Sequence, residues 1–287
     1  MSTTYSMDGK VCLVSGATSG IGYAAARSLA AAGADVTIIA RSETKARDCC
    51  RMIRSDTGNQ TIRYLLCDFS HLASIRQLSE TINRDYEVID VLLNNAGVVN
   101  QARRESRDGY EEMFAVNHLG YFLLTTLVQG KVVAAPAGRI VNTASGAHKF
   151  PKQGIRFDDL NSEKKYSSME VYGHSKLANI LFTRELARRL ADTDVTVNCL
   201  HPGAVATNLG SNNGWLGRFL MTLVKPFFRS SEKGAETALY LCCDAAVDGQ
   251  TGGYYYDCKR TEPNKWALDD DAAARLWTAS EELIAAV

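Results

Sequence analysis

Val11-Cys12-Leu13-Val14-Ser15-Gly16-Ala17-Thr18-Ser19-Gly20-Ile21-Gly22 joins a short apolar run to a glycine-rich turn, and a helical pattern follows as far as Ala31. An apolar run of this length reads as a strand covered on both faces. Glycine is demanded where the following turn takes positive φ and where main chain must come close to a phosphate. The helix behind the turn offers unpaired N–H groups and the positive end of its dipole. Three glycines are a weak signal by themselves. Their place between a first strand and a first helix makes Gly16, Gly20 and Gly22, with Thr18, Ser19 and Ile21, a candidate dinucleotide-phosphate loop.

The same alternation continues outward. Asp35–Ile39, Ile62–Leu66, Ile89–Leu93, Arg139–Thr143 and Val195–Leu200 read as buried strands. Gly20–Ala31, Glu43–Ser55, Leu72–Arg84, Tyr110–Val128 and Ser168–Leu190 carry helical periodicity, and residues 252–256 add a last strand. The expectation is an α/β fold of Rossmann type: a doubly wound, mostly parallel, seven-stranded sheet with helices on both faces. No linker, repeat or low-complexity tract interrupts residues 1–287, so one domain is expected. Within it lie an irregular stretch at 148–167, a lid at about 207–230 and a C-terminal amphipathic helix at about 269–286.

Bulk properties exclude several classes. Of 287 residues, 32 are Lys or Arg and 32 are Asp or Glu, so no net charge argues for nucleic acid or an anionic membrane. No run reaches the roughly 18 apolar residues of a membrane span. Eight cysteines include the adjacent pairs Cys49–Cys50 and Cys242–Cys243 but no metal-ligand spacing, so no metal is expected. With no apolar run at the N-terminus, reduced thiols in a cytoplasmic protein are the economical reading.

Cofactor choice can be read at the end of the second strand. Arg41 stands 19 residues after Gly22, where an NAD enzyme usually has an acid for the ribose hydroxyls. A guanidinium suits a 2′-phosphate instead, with Ser42 and Lys45 at hand, and NADP is the expected cofactor. Asp68, followed by Phe69, either accepts from the adenine amino group or caps the next helix; the two roles are compatible.

Tyr172 and Lys176 stand four apart in a helical pattern and so share a face. Free tyrosine titrates at about 10, and a nearby ammonium brings it towards useful acid–base range. The spacing alone is common. Taken with Gly16-x-x-x-Gly20-x-Gly22, Asn94-Asn95-Ala96-Gly97, Asn117, Ser145 and Pro202-Gly203, all in order, the chain resembles the short-chain dehydrogenase/reductases over roughly residues 9–256. The stretch from Tyr172 to Leu190, His201-Pro202-Gly203 and Ala273-Ala274-Arg275-Leu276-Trp277 resemble the retinol dehydrogenase branch.

The resemblance implies roles. Ser145 would hydrogen-bond the substrate oxygen and Tyr172 would exchange its proton. Lys176 would tune Tyr172 and grip the ribose, and Asn117 would hold a water leading from Lys176 to solvent. Asn95, Ala96 and Gly97 would line the adenosine side of the cofactor, while Ile21, Pro202, Gly203, Val205 and Thr207 would serve its nicotinamide end. Ser15 stands where the family commonly has threonine, and Ala144 where it has a second serine. The apolar residues of 215–228 suggest a lipophilic aldehyde, ketone or alcohol, a subunit contact or a membrane contact. Relatives often form dimers or tetramers. The competing readings are a redox-inactive NADP-binding sensor or scaffold, argued against by the retained Ser, Tyr, Lys and Asn, and an epimerase or dehydratase. The Gly173–Leu177 stretch lacks the second glycine of a hydrolase elbow, and His148 is given no chemistry.

Overall fold

A computed structural model describes residues 6–205 and 229–287. Its eight-stranded sheet runs in the order β3-β2-β1-β4-β5-β6-β7-β8. The strands are β1 (Val11–Ser15), β2 (Asp35–Ala40), β3 (Arg63–Leu66), β4 (Val91–Asn94), β5 (Arg139–Thr143), β6 (Thr196–Leu200), β7 (Tyr254–Tyr256) and β8 (Lys259–Arg260). All pairings are parallel except β7 with β8. The chain moves from β1 outward to β3, then returns to the other side of β1 at β4. A crevice at the carboxyl ends of β1 and β4 follows from that reversal.

Both faces of the central strands are buried, and the pleat divides them. Cys12 and Val14 point into one apolar cluster with Leu29 of α1 (Gly20–Ala31), Ile53 of α2 (Glu43–Thr57) and Leu241 of α7 (Ser231–Cys243). Leu13 points into the opposite cluster, with Ile75 of α3 (Leu72–Asp85), Phe122 of α5 (Gly120–Val133) and Phe182 of α6 (Ser168–Arg189). Trp277 of α8 (Asp270–Ala285) completes that side, its ring 4.8 Å from Phe122 and under the Arg189 guanidinium at 4.1 Å. Burial on two sides is why these strands carry apolar residues without alternation. β3, at the sheet edge, is the exception and is partly exposed.

Three features differ from the sequence expectation. The helix expected from Tyr110 to Val128 is interrupted: α4 (Glu112–Phe114) is a single turn, Ala115–Leu119 is a π-helical turn, and α5 follows directly. A π turn holds one extra residue, a local cost that tends to survive where a side chain must be re-aimed. Asn117 lies in that turn.

An eighth strand extends the expected seven. It forms a two-residue hairpin in which Asp257 and Cys258 both take positive φ, 49° and 59°. Hairpins of this length normally place Asn-Gly there, so Asp-Cys gave no signal. α7 was not anticipated either; Gly234 and the cysteine pair at its end blunt its apolar pattern. A Cβ at Gly234 would stand 2.7 Å from Val205 and 3.1 Å from Ile21, so the glycine lets α7 lie against the phosphate-loop helix. As expected, 148–167 is irregular, and Ile155, Phe157 and Leu160 anchor it against the third apolar cluster. Most of the lid expected at 207–230, including Thr207 and 215–228, lies outside the described residues.

Candidate active site

The buried hydroxyl of Ser15 ends β1 and accepts from two main-chain groups of the turn after β4, Asn95 N–H at 2.8 Å and Ala96 N–H at 3.0 Å. Asn95 returns the bond, its Nδ2 donating to the carbonyls of Ser15 at 3.0 Å and Gly16 at 3.3 Å. A Cβ on Gly22 would fall 2.4 Å from Asn95 Nδ2, and one on Gly16 would fall 2.6 Å from Ala96 Cα. The two turns are thus locked together at a separation that only glycine allows. Gly16 and Gly20 also have positive φ, 67° and 59°.

These residues fit a dinucleotide phosphate. Ser19, at the N-cap of α1, is extended and its hydroxyl makes no capping bond. The first N–H groups of α1 therefore lack a side-chain acceptor and open on a cleft lined by Thr18, Ser19, Gly20, Ile21, Arg41 and Gly97. The cleft also takes in Lys45, Asp68, Phe69, Asn95 and Ala96 from the expected set. Val98, Val99 and Val116 line its wall and were not anticipated, although the apolar Gly97-Val98-Val99 run was visible. Arg41 is exposed at the rim, while Glu43 turns away to pair with Arg47. Asp68 does not cap α3. It accepts from Ser70 N–H at 3.0 Å and Ser70 Oγ at 2.7 Å, and the first N–H of α3 is taken instead by Asp108 at 2.7 Å.

Past Gly97, the carboxyl end of β5 gathers the remaining residues. Ser145 is extended, and its hydroxyl accepts from Ala147 N–H at 3.2 Å, capping a 3₁₀ turn over Gly146–Lys149. That hydroxyl also stands near enough to the Tyr172 phenol to favour its ionised form. Lys176, one turn on, is buried; its Nζ donates to the Thr143 carbonyl at 3.0 Å and lies 5.8 Å from the ring centres of both Tyr172 and Tyr121. Tyr121, unremarked in the sequence, in turn donates to the Ala96 carbonyl at 2.7 Å and ties this corner to the cofactor turn.

Asn117 is fully buried, and its side chain is committed. Oδ1 accepts from Val98 N–H at 2.8 Å; Nδ2 donates to the Val98 carbonyl at 3.1 Å and to Ser175 Oγ at 3.0 Å. The amide therefore braces the turn after β4 against α6, with Ser175 its unforeseen partner. On the far side, Gly203 has φ of 84°, and a Cβ there would strike Arg229 at 2.9 Å. Pro202 and Gly203 follow His201, whose ring stacks on Tyr256 at 4.6 Å, and Val205 bridges to Arg229.

The electrostatics differ from the pairing that the sequence suggested. Burial raises Tyr172 above 10, with the Ser145 hydroxyl acting the other way. Burial also lowers Lys176 from 10.5 to about 7. Both shifts favour the neutral form, so without an added charge the pair is a phenol beside a largely deprotonated amine above pH 7.

This geometry can now be set beside known proteins. A family model described as short chain dehydrogenase matches residues 10–157 and 159–214. The chain belongs to the short-chain dehydrogenase family. Within it the sequence is 41% identical to retinol dehydrogenase 12 of Mus musculus, covering 98% of this chain and 88% of that one. It is 40% identical to retinol dehydrogenase 14 of Homo sapiens, covering 97% and 87%. An uncharacterised Mycobacterium paratuberculosis protein of solved structure superposes with a TM-score of 0.79 at 29% identity, covering 98% of this chain and 95% of that one. The short-chain dehydrogenase fold and the retinol dehydrogenase likeness are therefore established, as is an oxidoreductase that uses a nicotinamide cofactor.

The Lys176 assignment has a direct check. In the cofactor-free protein, the Lys176 Cε resonance should titrate with a midpoint near pH 7, the charged form lying below it. A midpoint above pH 9 would show that burial does not control this amine.

Proposed function

We propose that the protein is an NADP(H)-dependent oxidoreductase interconverting a lipophilic aldehyde or ketone and its alcohol, with Tyr172 as general acid and base. The observation that carries this reading is the meeting of Ser145, Tyr172 and Lys176 at the carboxyl end of β5, beside the turn that carries Gly97.

Hydride exchange is the chemistry that a bound nicotinamide supplies. The chain's own residues handle the oxygen and its proton. Ser145 Oγ, held at the head of its 3₁₀ turn, donates to the substrate oxygen and stabilises alkoxide charge as it develops. Tyr172 gives that oxygen a proton in reduction and takes one in oxidation. Burial moves Tyr172 further above its ordinary value, so a bound cofactor's charge has to favour tyrosinate when the reaction runs towards oxidation. Lys176 would hold the cofactor ribose, and the anionic charge that a bound dinucleotide brings would favour its ammonium. Asn117 holds Val98 and Ser175 in place around it.

Three lines support the finer choices. After β2, Arg41 and Lys45 line the cleft where an acid would serve the ribose hydroxyls of NAD, and the cleft's carboxylates, Asp68 and Glu112, come from other segments, which favours a 2′-phosphate. Solved relatives described as NADPH and NADP complexes exist, one from Escherichia coli CFT073 and one from Pseudomonas aeruginosa. For the substrate, Phe150 and Met169 are exposed apolar side chains, 46% and 49%, on the segments that carry Ser145 and Tyr172, which suits a lipophilic partner. The names of the retinol dehydrogenase relatives point to the same substrate class. A redox-inactive sensor would need the glycine loop but not the convergent hydroxyl, phenol and amine. All eight cysteines are free, which fits residence in the cytoplasm.

Tyr172→Phe should abolish NADPH oxidation by a panel of apolar aldehydes and ketones, lowering kcat by about a hundredfold or more while sparing NADPH affinity. Unchanged turnover would refute the role of the phenol. Arg41→Asp should shift the ratio of kcat/KM for NADPH over NADH by at least about tenfold towards NADH. A ratio that stays put would overturn the cofactor assignment.

A further inference from the structure

Ser145 must hold its hydroxyl against Tyr172, yet its own backbone belongs to no strand or helix. The side chain behind it is His148. This imidazole has no exposed surface and takes no part in the chemistry above. Its Nδ1 lies 2.7 Å from the Ser145 carbonyl oxygen, and its Nε2 lies 3.3 Å from the main-chain nitrogen of Asn264.

Those two neighbours fix the tautomer. An amide N–H can only donate, so Nε2 must be the bare, accepting nitrogen. The neutral ring then carries its proton on Nδ1 and donates it to the Ser145 carbonyl. Asn264 closes the arrangement from the C-terminal part of the chain: its Nδ2 donates to the His148 carbonyl at 2.8 Å, and its Oδ1 caps the 3₁₀ turn Lys265–Leu268. Tyr254 of β7 packs edge-on against the imidazole at 5.1 Å. The Tyr254 hydroxyl also lies 3.5 Å from Nδ1, so the ring cannot turn without breaking its contacts to Ser145, Asn264 and Tyr254 in a site closed to water.

We infer that His148 is a positioning residue for the reaction: its Nδ1–H holds the Ser145 carbonyl, and through it the serine hydroxyl, in register with Tyr172. The inference rests on the catalytic reading of Ser145 and Tyr172 given above. A ring that merely filled space would need no particular nitrogen. A positioning ring needs the one that faces Ser145.

Two substitutions separate the nitrogens. Asn places an amide N–H where Nδ1 stands, keeping the contact to Ser145 and losing the one to Asn264. Gln reaches the Nε2 position, keeping the contact to Asn264 and losing the one to Ser145. With saturating NADPH and an apolar aldehyde, His148→Asn should keep kcat within about threefold of the parent. His148→Gln should lose about tenfold or more in kcat, with NADPH affinity within about twofold, since sub-ångström displacement of a reacting group carries costs of this order. Equal losses in both variants, or no loss in His148→Gln, would overturn the inference. Should His148→Gln fail to fold, His148→Asn decides alone: a loss beyond threefold overturns the role and a smaller one upholds it. Tyr172→Phe measured alongside keeps the two readings apart. Loss there with His148→Gln equal to the parent removes the positioning role only, whereas full turnover in Tyr172→Phe removes both.

Discussion

One buried hydroxyl decides whether this chain has a cofactor cleft. Ser15 stands where β1 ends, and its single oxygen receives two N–H groups from the turn after β4. Buried amide groups need partners, and loss of this acceptor would leave two of them orphaned at the topological switch point. Asn95 reciprocates by holding the carbonyls of Ser15 and Gly16. The result is a fixed distance between the loop that meets phosphates and the turn that leads to Gly97, Val98 and the catalytic corner. Gly16 and Gly22 are glycine because this distance leaves no room for a Cβ.

From that joint the site is built by relays of short polar contacts. Tyr121 reaches Ala96 from α5, Asn117 clasps Val98 and reaches Ser175 on α6, and Lys176 reaches Thr143 at the end of β5. The π turn at Ala115–Leu119 is the local distortion that aims Asn117 at Val98. Burial then sets the chemistry. The same low dielectric raises Tyr172 and lowers Lys176, so charge enters this corner chiefly with a charged ligand.

Much of this was legible in the sequence because it depends on residue type at fixed spacing. Apolar runs and glycines gave the order of strands and helices as far as β6, together with β7 and the C-terminal helix α8, and the ordered motifs gave Ser145, Tyr172 and Lys176 and the family itself. What escaped depends on contacts between distant segments. The π turn leaves no mark on helical periodicity, and α7 is disguised by Gly234, whose purpose appears only when Val205 and Ile21 lie against it. The Asp257–Cys258 hairpin uses residues that rarely take positive φ. Asp68 looked able to cap α3, but Asp108, 36 positions beyond Leu72, fills that place. His148 was given no chemistry because nothing local reveals Asn264 behind it.

The most direct measurement is NADPH affinity in Ser15→Ala and Ser15→Thr. Threonine keeps the accepting oxygen and should bind within about threefold of the parent. Alanine removes it and should weaken binding by about tenfold or more, in line with the cost of about 1–3 kcal/mol for a stranded buried donor. Alanine binding as tightly as the parent would contradict the claim that this hydroxyl holds the cleft together.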